Sequence, residues 1–142
     1  MKAIVAAAIA LTTFAGTVLA APGAVQPPDS SAGAKQESPF ACNRLALTPE
    51  KRKRHFDELS PALLTLKTGI RELPDGYEFQ FPGDASTYSL LAEWVGGERV
   101  CCPFFDIDLR SDREGGPQFL RLTGREGTKQ FIVADFAPWF RK

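Results

Sequence analysis

Apolar residues recur with two different spacings along residues 40–142, and the switches between them mark out the elements. Phe56, Leu59 and Leu63 share one side of a helix that opens at Thr48 as N-cap, with Pro49 in the first helical position and Glu50 in the first turn. Lys51, Arg52, Lys53 and Arg54 form its solvated side. Pro61 is expected to end or kink this helix near Ser60, because proline has no N–H to donate and crowds the preceding turn. The spacing then changes to two. Leu64, Leu66, Thr68, Ile70 and Glu72 alternate with Thr65, Lys67, Gly69 and Arg71, and Tyr77, Phe79 and Phe81 alternate with Glu78 and Gln80. Pro74-Asp75-Gly76 between them supplies a fixed φ and a residue that tolerates positive φ, so the pair reads as a hairpin.

A second helix begins at Asp84 or Ser86, both good N-caps, and carries Tyr88, Leu90, Leu91, Trp94 and Val95 as a broad apolar stripe. Gly96 and Gly97 weaken it without ending it, and Pro103 stops it. Phe105, Ile107 and Leu109 alternate with Asp106, Asp108 and Arg110 as a third strand. A Gly-rich turn over residues 111–117 leads to a fourth, Phe119–Leu122. Thr123 and Glu126 have the spacing of a capping box and predict a third helix from that point, with Phe131, Ile132, Ala134 and Phe136 facing inward and Trp139 and Phe140 folding the tail down. The order α-ββ-α-ββ-α predicts an α+β domain: a four-stranded antiparallel sheet built from two hairpins, with helices packed on one face. The order of strands within the sheet is not legible from this pattern.

The first 39 residues read differently. Lys2 followed by the apolar run Ala3–Leu11 and by Val18-Leu19-Ala20 predicts a signal peptide over residues 1–20, cleaved after Ala20. Thr12, Thr13, Gly16 and Pro22 make it a poor spanning helix, since roughly 20 apolar residues are needed to cross a bilayer. The expectation is therefore an exported protein, periplasmic or secreted, with no membrane contact after cleavage. Residues 21–39, rich in Ala, Pro, Gly, Ser and Gln, predict a disordered linker, and residues 40–142 a single domain. Seventeen basic and seventeen acidic residues balance to zero, and to −1 once Lys2 is removed. With no basic stripe, nucleic acid is not an expected partner. A protein partner is not legible.

The chemistry lies in three cysteines: Cys42 before the first helix, and the adjacent Cys101 and Cys102 in Glu98-Arg99-Val100-Cys101-Cys102-Pro103-Phe104. Three sulfurs cannot all pair within one chain. One reading pairs Cys42 with Cys101 or Cys102, closing a loop of about 60 residues worth about 4 kcal/mol in the chain-entropy picture. Adjacent side chains point apart, so one thiol of the pair can face the core while the other faces outward, and the pairing reading buries the thiol left over. A second reading makes Cys42, Cys101 and Cys102 the ligands of a soft ion, Cu(I), Zn(II) or a heavier thiophilic metal, with Glu98 or His55 as accessory ligand. A third leaves a reduced thiol for redox or nucleophilic chemistry. His55 is the only histidine and lies among Lys53, Arg54 and Asp57, where a solvated side chain is the plainer expectation. A single imidazole argues against a hydrolytic relay. Asp106, Asp108 and Asp112 read as an exposed strand face, since no calcium-loop pattern surrounds them.

Taken together, Cys42–Leu47, Glu72-Leu73-Pro74-Asp75-Gly76-Tyr77, the Cys-Cys-Pro-Phe block and Leu122-Thr123-Gly124-Arg125-Glu126-Gly127 resemble a small bacterial family of uncharacterised activity. The resemblance spans nearly all of Phe40–Phe136. The family's association with metal-responsive gene settings implies soft-metal binding. The signal and linker depart from its pattern, because many of its members look cytoplasmic. The sequence thus favours a small non-catalytic exported protein that binds a soft metal ion through three thiolates. The alternatives are a disulfide-stapled structural or interaction domain and a thiol-dependent redox protein.

Overall fold

The computed structural model describes residues 37–141; the expected signal peptide, and all of the expected linker except Glu37–Pro39, lie outside the described residues. Within them the order is α1 (Pro49–Lys53), a π-helical stretch (Arg54–Leu59), α2 (Ser60–Leu66), β1 (Gly69–Glu72), β2 (Gly76–Phe81), α3 (Ala85–Cys101), β3 (Asp106–Ser111), β4 (Gln118–Thr123) and α4 (Thr128–Asp135). Short 3-10 turns, Arg44–Ala46 and Ala137–Phe140, precede and follow them. The sheet is four-stranded and antiparallel in the order β1-β2-β4-β3. The two hairpins therefore meet through β2 and β4, and the edges are the short β1 and the charged β3. This is the α+β architecture that the pattern predicts.

Register explains why one face is dry. Phe79 lies opposite Ile70 and Leu120, and Leu120 opposite Leu109, so a single row of apolar side chains crosses the sheet. Phe79, Phe81, Leu120 and Leu122 are fully buried there beneath Leu59, Leu63, Leu91, Trp94, Ile132 and Trp139 from the helices and tail. The row on the opposite face is charged. Arg71 pairs with Glu78, Glu78 with Arg121, and Arg121 faces Asp108. Arg71 and Arg121 hold the Glu78 carboxylate between them, at 2.8 Å and 2.6 Å.

Three expectations need correction. The first helix does not end near Ser60: it continues through Pro61 to Leu66, and the first strand begins at Gly69 rather than Leu64. The π-helical stretch supplies the reason. Ser60 N–H reaches back five residues to the His55 carbonyl, and Ser60 Oγ donates to the same oxygen at 2.8 Å. The wider turn meets the missing N–H of Pro61 and the steric demand of its ring without breaking the helix axis. The capping box is also overturned. Thr123 is the last residue of β4, and α4 starts at Thr128 after Gly127, whose φ of 96° ends the connecting turn. Pairing with Gly76 and Asp106 on both neighbours keeps Thr123 in the ladder and out of a helix cap. Ala134, expected inside, is exposed, whereas Phe136 and Trp139 are buried. The start of α3 is as predicted: the Asp84 carboxylate accepts from Thr87 N at 2.9 Å and Thr87 Oγ1 at 2.7 Å.

The charged sheet face gives a pH test. Burial alone would raise the Glu78 carboxyl, but hydrogen bonds from Arg121 and Arg71 outweigh it and hold the group below its ordinary value of 4.5. The folded state therefore binds fewer protons here than the unfolded one, so this stabilisation is complete above pH 4.5 and is lost as pH falls through the lowered value. Urea titrations from pH 7 to pH 3 should show the wild type losing more stability on acidification than Glu78→Gln.

Candidate functional site

The end of α3 meets the segment before α1 at the three sulfurs. The Asn43 amide donates to the Cys101 carbonyl at 2.7 Å, which brings the early segment against the last turn of α3. Phe40 anchors it from the other side. Its ring packs edge-on to Phe104 at 5.2 Å and stacks with Phe131 at 6.3 Å, while the Arg125 guanidinium lies 4.4 Å from its centre. Arg125 also pairs with Glu37 at 2.9 Å. These contacts place Cys42 beside Cys102, with Cα atoms 4.6 Å apart and a disulfide between them across 60 residues. Such a closure stabilises by about 4 kcal/mol in the chain-entropy picture.

Cys101 is the free thiol and is buried. The thiol left over by the pairing is buried, as that reading expects, and Cys102 is buried as well, because the Cys42 segment roofs it. Cys102 leaves the helix as its C-cap at φ −126° and turns its sulfur back to 3.6 Å from that of Cys101. The Cys101 thiol donates to Glu98 Oε2 at 3.6 Å. Burial, and then the nearby Glu98 carboxylate, push this thiol up to about 12. At neutral pH it is therefore protonated and a poor nucleophile.

His55 is corrected as well. It is buried, 2% exposed, and its Nε2 lies 2.9 Å from Glu98 Oε2. His55, Leu59 and Leu63 are spaced by four, and this stripe, with the π-helical turn, directs the imidazole into the domain rather than out beside Arg54. Arg54 itself stays outside and clamps Glu93 of α3 through Nε and Nη2 at 2.9 Å and 2.8 Å, so the π-helical turn is tied to α3. Glu98 is equally buried, on the inward side of α3, and faces His55 and Cys101 rather than forming a surface pair with Arg99.

One ligand atom from each of Cys42, Glu98, Cys101 and Cys102 lies within 4.8 Å of the others. Adjacent ligands around a shared ion sit about 3.5–4 Å apart, given metal–sulfur lengths near 2.3 Å. The spacing of Cys101 and Cys102 fits, and the Cys42–Cys102 bond would have to open for the third sulfur to take part. His55 stands behind Glu98 and outside this set. A cleft of about 270 Å³, lined among others by Cys42, Asp57, Glu98 and Asp135, leads from solvent to the cluster. Asp106 and Asp108 are on the exposed edge strand, away from it. Among the described residues no helix is long and apolar enough to cross a membrane.

Counting thiols tests this arrangement. The oxidised native protein should react with no thiol reagent rapidly, show one thiol in denaturant, and show three after reduction and denaturation. Two or more rapidly reacting thiols in the unreduced native protein would contradict the burial of Cys101 and the Cys42–Cys102 bond. Comparison of the chain with protein-family models, with curated proteins and with solved structures finds no match, so its chemistry has to be argued from this geometry.

Proposed function

We propose that this protein is a small exported metal-binding protein, without catalysis, that takes up one thiophilic ion through the thiolates of Cys42, Cys101 and Cys102, with Glu98 completing the set. The observation that carries the reading is the approach of three sulfurs and one carboxylate oxygen to within 4.8 Å in a buried position. Loading follows reduction of Cys42–Cys102 by an external dithiol. That reagent gives two electrons and two protons and leaves as its own disulfide. Binding then releases the thiol protons. The contacts of Phe40 and Asn43 do not depend on the disulfide, so they keep Cys42 near its neighbours after the bond opens.

Electrostatics support a cation over a reactive thiol. Burial, and then the Glu98 carboxylate, raise Cys101 and would make a catalytic thiolate costly, while the carboxylate's negative charge favours a positive ion. Soft sulfur ligands favour Cu(I) or Zn(II) among common ions, with the carboxylate as a fourth ligand for zinc. All three sulfurs also lie in the segments that resemble the Cys-Cys-Pro-Phe family.

A second reading is favoured by the bond itself: a disulfide-stapled domain in an oxidising compartment, where Cys42–Cys102 is structural and Cys101 is inert core. Titrating the reduced protein with Zn(II) under anaerobic conditions separates the two. The metal reading expects one ion per chain, with protection of all three thiols from alkylation. A site of this kind is worth about 10–16 kcal/mol, so loss of one ligand in four through Cys42→Ser should weaken binding about 100-fold or more. Unchanged affinity in that variant, or full thiol reactivity in excess zinc, would leave only the staple.

A further inference from the structure

We infer that His55 is a positioning residue that aims the Glu98 carboxylate at the sulfur cluster, and that Gly97 is glycine to make room for it. The inference rests on the metal-binding reading for its purpose, but its geometry can be read without any ion.

The imidazole is held by two aromatic rings and a polar network. Its ring stacks on Trp94, at 5.4 Å and 19° between planes, and meets the edge of Phe56 at 4.7 Å. The backbone is fixed too, because the His55 carbonyl accepts from both the amide and the hydroxyl of Ser60. Trp94 Nε1 donates to that same hydroxyl oxygen at 3.0 Å, so a single network locks the ring that stacks on the imidazole and the backbone that carries it. Only Nε2 has a polar partner, Glu98 at 2.9 Å. Nδ1 is buried and has none among the described residues. A carboxylate can only accept, so Nε2 is the nitrogen that donates to Glu98.

Gly97 explains the vacant nitrogen. A Cβ at position 97 would lie 2.5 Å from Nδ1 and 3.1 Å from Cε1, so a side chain there would force the ring out of its present position against Glu98. Glycine in mid-helix costs about 1 kcal/mol relative to alanine, which the fold accepts here. Gly96 makes no such demand: among the described residues a Cβ there meets nothing within 4 Å, although both glycines and His55 line the same cleft of about 470 Å³. The two neighbouring glycines thus have different reasons to be present, and only one serves the site.

The consequence is a carboxylate with one orientation. Glu98 Oε2 accepts from His55 and from the Cys101 thiol, both buried with it. When the thiol proton leaves on metal binding, the imidazole still holds the carboxylate facing the sulfurs. Partners behind a ligand are commonly worth 10–100-fold in affinity.

Co(II) is the probe, because its visible spectrum reports both thiolate count and coordination number. The reduced wild type should bind one Co(II) with thiolate charge-transfer bands and strong four-coordinate ligand-field bands. Gly97→Ala and His55→Phe should retain the charge-transfer intensity, lose the four-coordinate pattern and bind about 10–100-fold more weakly. Gly96→Ala, in the same helix, should match the wild type. A Gly97→Ala protein with wild-type spectrum and affinity overturns the inference while leaving the metal reading standing. Nitrogen NMR of the metal-free oxidised protein decides the geometry even if no ion binds. His55 should show a slowly exchanging Nε2–H that Gly97→Ala exposes. A rapidly exchanging Nε2–H in the wild type, or an unchanged one in Gly97→Ala, would equally refute it.

Discussion

Glu98 is a carboxylate taken almost wholly out of water, at 2% exposure, and much of the domain is arranged around satisfying it. An isolated buried charge is costly, so it needs donors that are themselves inside. Two are present, the imidazole of His55 and the thiol of Cys101. Supplying the first requires the α1–α2 rod to present a histidine inward, which the π-helical turn does. Supplying the second requires α3 to continue past two glycines to Cys101. The helical layer therefore has its register set by one polar contact inside an aromatic core.

The disulfide acts at a different level. It closes a long loop and so limits the unfolded chain. Orientation comes from Phe40 packed between Phe104, Phe131 and Arg125, and from the Asn43–Cys101 backbone bond. A covalent staple laid on a region already held by packing can open without dismantling what it joins.

The sheet divides the labour between its faces. Its dry face supports the helices that carry the site, through Phe79, Phe81, Leu120 and Leu122. Its outer face is crossed by Arg71, Glu78, Arg121 and Asp108, alternating in sign, so that even the buried Glu78 has cations on both sides. Charge on this face, and on the edge strand β3 with Asp106 and Asp108, also makes it a poor template for pairing with another sheet edge.

What the amino-acid order by itself determined was the local period of each element: the alternation in β2 and β3, the Asp84 cap of α3, and from these the α+β class with two hairpins. It also identified the three cysteines as the chemistry, because an odd count leaves one thiol over in any pairing. Tertiary structure decided everything that depends on residues distant in sequence. The β2–β4 pairing that sets the strand order joins segments about 40 residues apart, and no local period encodes it. Pro61 reads as a stop until the five-residue reach of Ser60 shows how the helix absorbs it. His55 reads as surface beside Lys53 and Arg54, although its spacing of four from Leu59, repeated to Leu63, was a signal available in the sequence. Sequence reasoning narrowed the partner of Cys42 to Cys101 or Cys102, but the choice between them, and the His55 partner of Glu98, were beyond it for a physical reason. A buried polar group is assigned by what the rest of the chain brings within hydrogen-bond reach, and that reach spans 43 residues from His55 to Glu98 and 60 from Cys42 to Cys102.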